Sequence, residues 1–113
     1  MSNMPRDDLI YIGHMLDTCR KALSRIEGKT RSQYDSNEDL QIVLTHLIQV
    51  LGEAARQVSP EFQEAHDDIP WPKIIGMRNK VVHDYMSIDL DVVWGVATLE
   101  LKPLLAKLET LVS

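Results

Sequence analysis

Hydrophobic residues recur along this chain at threes and fours. Between Arg6 and Glu27, Leu9, Ile12, Leu16, Cys19, Leu23 and Ile26 mark one face of an amphipathic helix. Asp7 and Asp8 stand at the positive end of its dipole, and Gly28 is a natural stop. Thr30 to Tyr34 reads as a polar connector. Asp35 with Glu38 three residues on fits a capping box, opening a second helix with a broad apolar stripe: Leu40, Val43, Leu44, Leu47, Val50, Leu51, Ala54, Ala55 and Val58. That helix is the predicted centre of the core. Ser59-Pro60-Glu61 supplies a cap, a first-turn proline and a first-turn acid for one or two further turns.

Pro70-Trp71-Pro72 is a rigid connector, with Trp71 expected to pack as a plug and Pro72 to start another helix. After Tyr85 the helical pattern breaks. Ser87 or Asp89 can cap a last helix carrying Val92, Val93, Val96, Leu99, Leu101, Leu104, Leu105, Leu108 and Val112, with a kink or a break expected near Leu99 because Pro103 lies inside the run. No strand-period alternation and no internal repeat stands out. Short connectors then imply an all-α fold: one domain, residues 1–113, of four to five helices in antiparallel order.

Charge and composition narrow the function. The 113 residues suffice for one core, and five glycines and five prolines are too few for a disordered chain. The single cysteine, Cys19, excludes an internal disulfide and fits a reducing compartment. The segment from Met4 to Asp8 leads into an interrupted amphipathic stretch instead of a signal-peptide core, and no stretch reaches the ~20 apolar residues of a membrane span. A cytoplasmic protein is expected. Net charge of −5 argues against broad affinity for nucleic acid but allows a local basic site. Two candidates are Lys73, Arg78, Lys80 and His83, and Arg20, Lys21, Arg25, Lys29 and Arg31.

Within Met77-Arg78-Asn79-Lys80-Val81-Val82-His83-Asp84-Tyr85, polar groups interrupt an apolar run. Continued as a helix at about 100° per residue, Arg78 falls at the middle of the apolar arc, Asn79 stacks on His83, and Tyr85 points as Arg78 does. An arginine so placed needs a carboxylate or an incoming anion. Glu53, beside the small residues Gly52, Ala54 and Ala55, can supply the carboxylate where another helix comes close; a solvated charge beside a packing seam is the plain alternative. His14 is more simply a surface or packed histidine. His66-Asp67-Asp68 has ligand types but the wrong spacing for a metal site, so neither metal nor cofactor is expected.

The order Arg78, four residues, His83, one residue, Tyr85 resembles the R-x4-H-x-Y signature of HepT-like proteins, helical toxins of the HEPN ribonuclease superfamily. Ile69-Pro70-Trp71, Gly76 to Asn79, Ile88-Asp89, Val93-Trp94, Gly52-Glu53-Ala54-Ala55-Arg56 and Tyr34-Asp35 extend the resemblance from Asp8 to near Leu108. The resemblance implies a HEPN-type dimer with a cleft between two motif sites, acting as a metal-independent endoribonuclease on RNA, not DNA. Arg78 would stabilise phosphate, His83 serve as acid or base, Asn79 assist, and Glu53 and Lys80 support. It also implies a partner, an MntA-like nucleotidyltransferase antitoxin that attaches AMP to the motif tyrosine, here Tyr85. Taken without the family, the same residues fit a buried polar network as well as a catalytic site; the alternatives to the enzyme reading are a non-catalytic helical dimer that binds a nucleotidyltransferase partner and a plain dimerisation module.

Overall fold

The computed structural model describes residues 6–84 and 87–112, leaving aside the side chains of residues 6, 82–84 and 87. Helix α1 (Arg6–Ile26) ends at Gly28, whose φ of 73° lies in the left-handed region that glycine enters without steric cost. Ile12, Met15, Leu16, Cys19 and Ala22 form its inner face, whereas Leu9 is 45% exposed. The expected polar connector is instead a short helix, α2 (Arg31–Asp35). Thr30 Oγ1 accepts from the Gln33 amide at 3.1 Å and Gln33 Oε1 accepts from the Thr30 amide at 2.8 Å, a reciprocal capping box one helix earlier than the sequence suggested. Asn37, not Asp35, then caps α3 (Glu38–Gln57).

Helix α3 is the centre of the core and packs on both α1 and α5. Leu40, Leu44, Ile48, Leu51, Ala54 and Ala55 are buried along it. The end of α3 returns to the start of α1, where buried Asp8 accepts from the Ser59 amide and the Ser59 hydroxyl, both at 2.7 Å. Ser59 also caps α4 (Pro60–Ala65) by accepting from the Phe62 amide. Helix α5 (Trp71–Val81) begins one residue before Pro72; the Trp71 indole is buried and donates to the His66 carbonyl at 3.0 Å, as a plug should.

After Val81 the chain is extended. Strand β1 (Val82–Asp84) pairs antiparallel with β2 (Ser87–Ile88), in the register Val82 to Ile88 and Asp84 to Ser87. This two-stranded ladder was not foreseen, and it ends the helix before His83. Asp89 caps α6 (Leu90–Gly95). A π-helical turn at Val96–Glu100 then leads into α7 (Leu101–Val112). The Leu101 amide donates to the Val96 carbonyl, the five-residue spacing of a π turn, and this widened turn stands where a proline-induced irregularity was expected.

Helix α7 runs against α1, closing the bundle. Arg20 meets Glu109 at 3.2 Å, while Leu23 and Ile26 lie beside Thr98, Lys102 and Leu105, so rising numbers in α1 meet falling numbers in α7 and the two are antiparallel. Tyr34 is fully buried, stacks on Trp94 at 4.9 Å and donates to the Leu90 carbonyl at 2.9 Å, tying α2 to α6. The architecture is the all-α bundle expected, with the small ladder added at the end of the motif helix. No helix among the described residues is long and apolar enough to cross a membrane.

Candidate active site

Helix α5 presents Trp71, Ile74, Met77 and Val81 to the core, and Arg78, Asn79 and Lys80 are exposed. Arg78 therefore does not sit at the middle of the buried arc. The reason lies across the seam in α3, where Gly52 is buried against α5. A Cβ at position 52 would come within 3.1 Å of the Ile74 carbonyl oxygen and 3.5 Å of the Arg78 Cβ. The backbones are close enough there that the long Arg78 side chain has no room inside, and it passes out along the edge of α3 to Glu53.

Arg78 Nη1 donates to Glu53 Oε1 at 2.8 Å, the pairing that the sequence suggested. Arg56, three residues along α3, donates to the other carboxylate oxygen, Oε2. Hydrogen bonding and charge from Arg56, followed by those from Arg78, hold the Glu53 carboxyl below the usual carboxylate range. Conversely, Glu53 raises the Arg56 guanidinium above its ordinary value. The carboxylate thus stays ionised and fixes both forks. Side-chain exposures of 53% for Arg78 and 42% for Glu53 leave the pair open to an incoming anion. The surroundings form a shallow open depression lined by His46, Gln49, Val50, Glu53, Arg56 and Arg78.

The structure distributes the other sequence candidates differently. The helix ends at Val81, so it does not continue to His83; the expected stacking of Asn79 on His83 and the alignment of Tyr85 with Arg78 rest on groups outside the described residues. His83 belongs by its backbone to β1; its side chain, and the whole of Tyr85, lie outside the described residues. Lys80 lines a separate depression with Lys73, Met77, Val96 and Leu99, and Lys73 pairs with Glu100 at 2.7 Å. The expected basic cluster is therefore split between two faces of α5. In the second expected cluster, Arg20 pairs with Glu109, Lys21 with Asp17, and Arg31 with both Asp35 and Asp91.

Exposed His14 meets the Tyr11 ring edge-on, and His66 packs its ring 4.3 Å from that of Phe62. Among the described residues, no three side chains of metal-ligating type converge. Two groups in the Arg78 depression, His46 and Gln49, escaped the sequence reading. Their only signal was position on α3, with His46 three and seven residues before Gln49 and Glu53, hence on one helical stripe with them.

With this geometry, comparison with known proteins is informative. The family model described as "Ribonuclease HepT-like" matches residues 15–111. The chain belongs to the HepT-like ribonuclease family. It is 28% identical over 94 residues to the protein named "Putative RNase TTE0752" of Caldanaerobacter subterraneus subsp. tengcongensis, covering 83% of this chain and 84% of that one. It is 27% identical over 100 residues to the "Probable ribonuclease HepT" of Thermococcus cleftensis, covering 85% and 91% of the two chains. No solved structure gives a significant match. The matched region of this HepT-like chain contains Glu53, Arg78 and the rest of the R-x4-H motif.

Proposed function

We propose that this HepT-like ribonuclease is a metal-independent endoribonuclease and the toxin of a toxin-antitoxin pair. The carrying observation is Arg78, exposed in a depression and held by Glu53, in a chain that keeps His83 five residues further on. RNA supplies its own nucleophile. The 2′-oxygen forms a bond to phosphorus as the bond to the 5′-oxygen breaks, leaving a 2′,3′-cyclic phosphate; a base takes the 2′ proton and an acid gives one to the departing oxygen. Histidine suits either task, and the Arg78 fork suits the charge that builds on the phosphoryl oxygens. Asn79 assists from the end of the same helix.

One chain contributes a single motif histidine, whereas the two proton transfers are best served by two. A homodimer that brings two motif copies together in one cleft supplies both. Regulation acts on Tyr85: an MntA-like nucleotidyltransferase antitoxin transfers AMP from ATP to its phenolic oxygen with release of pyrophosphate, and the added phosphate charge closes the site to RNA.

The test is cleavage of total cellular RNA by the purified protein with EDTA present, beside His83→Ala, with the fragment ends analysed. Cleavage by the parent alone, ending in 2′,3′-cyclic phosphates, is the expected result. Equal activity in both would expose a contaminant. No activity in either, from protein shown by mass to be unmodified at Tyr85, would replace the enzyme reading with a non-catalytic dimer that binds a nucleotidyltransferase.

A further inference from the structure

The depression beside Arg78 is longer than one phosphate contact requires. His46, Gln49, Glu53 and Arg56 follow one another on α3 at spacings of three, four and three, so they form a single stripe along the helix. Gly52 brings α5 against that stripe, and Arg78 reaches it near Glu53. At 1.5 Å per residue, His46 lies about 10 Å along the axis from Glu53. That spacing is too great for both ends to grip one phosphate group directly, so a ligand that touches both ends has to extend beyond a single phosphate. The stripe is also unusual in its charge. Arg31 elsewhere meets two carboxylates, and Lys73 and Arg20 meet one each. Here two guanidinium groups meet a single carboxylate, leaving a local positive balance on a chain of net charge −5.

From this juxtaposition we infer that His46 and Gln49 are substrate-binding residues, and that single-stranded RNA runs along α3 with the nucleotide next to the Arg78 phosphate resting on them. Exposed His46 offers a ring that can stack on a base or donate to a phosphate, and half-buried Gln49 offers donor and acceptor to a base edge. The stripe gives the site a direction. The inference rests on the ribonuclease reading for the scissile position, but binding along α3 can be measured without it.

The experiment uses the full chain and a fluorescein-labelled single-stranded oligoribonucleotide with every 2′-hydroxyl methylated, so that it binds without being cut. Anisotropy gives affinity, the unmodified oligonucleotide gives kcat and KM, and light scattering gives the assembly mass. His46→Ala and Gln49→Ala should each weaken binding about fivefold to tenfold, raise KM accordingly and leave kcat within about twofold. His14→Ala, remote from the stripe, should leave binding unchanged. Unaltered affinity in both stripe variants overturns the inference, as does a fall in kcat at constant KM or an effect that follows a change in assembly mass. If the parent binds but does not cut, the ribonuclease reading falls while loss of affinity in His46→Ala still upholds the binding stripe. If the parent neither binds nor cuts, both fall.

Discussion

Replacing Gly52 by alanine sets two opposing effects of known size against each other. In a helix interior, alanine is favoured over glycine by about 1 kcal/mol, so the substitution should stabilise α3 if nothing stood nearby. The added methyl, however, would lie 3.1 Å from the Ile74 carbonyl oxygen and 3.5 Å from the Ile75 oxygen and the Arg78 Cβ. Those carbonyls belong to the backbone of α5 and cannot swing aside singly; the helix has to move by a few tenths of an ångström. Overfilling a packed seam costs typically ~1–3 kcal/mol. The net expectation is a loss of about 1 kcal/mol, or a fall in Tm of about 4 °C. Urea unfolding followed by circular dichroism, at one fixed protein concentration, should show a lower midpoint with an unchanged slope. Gly52→Leu should be worse, at about 3 kcal/mol. A Gly52→Ala protein about 1 kcal/mol more stable than the parent would refute the close approach, and with it the account of why Arg78 turns outward.

Asp8→Ala removes the buried acceptor of two hydrogen bonds from Ser59 and should cost about 2–4 kcal/mol in the same assay; a change below about 0.5 kcal/mol would mean that the α1–α4 junction is not held there. Burial raises both Cys19 and Tyr34 to about 12, from 9.0 and 10.0. The folded chain keeps protons that the unfolded chain sheds, so stability should fall as pH rises from about 9 to 12; Tyr34→Phe should flatten the upper part of that fall, while costing about 1 kcal/mol at neutral pH through the lost bond to Leu90. Glu53→Gln should lower RNA cleavage about tenfold to a hundredfold by releasing the Arg78 fork, and Glu53→Asp, shorter but still charged, should recover part of it; equal cleavage by parent and Glu53→Gln would remove Glu53 from the site.

Much of this arrangement was legible because it rests on long periodic runs. The stripes of α1 and α3, the Gly28 stop and the Ser59-Pro60 start each involve residues whose neighbours in sequence are their neighbours in space. The Glu53–Arg78 pair was legible too, since small residues at 52, 54 and 55 announce a close helix crossing. Short elements were harder. Helix α2 has only five residues, too few for periodicity, and its sign was the Thr30–Gln33 capping box; Asp35 with Glu38 imitates the same signature two residues before the true cap at Asn37. The end of α5 was misplaced because a helical wheel extends indefinitely. Val81 and Val82 are β-branched and suited to extended backbone, and Ser87–Ile88 supplies a pairing partner that a local pattern cannot see. His46 stayed hidden for a similar reason: its significance comes from an arginine 32 positions away, brought alongside by Gly52.

The π turn between α6 and α7 amounts to one surplus residue absorbed without disturbing the helical phase on either side. Leu99, 74% exposed within that turn, is where the surplus shows. Removing it should restore ordinary α-helical winding while Leu101, Leu104 and Leu108 still face inward. The obstacle is Pro103, whose ring would then press on the carbonyl four residues before it. The single deletion should therefore bend the helix, whereas deletion together with Pro103→Ala should give a straight one. In evolutionary terms, the gain of a residue and the tolerance of a proline are a coupled pair of changes, and a relative shorter by one at this turn would be expected to lack the proline.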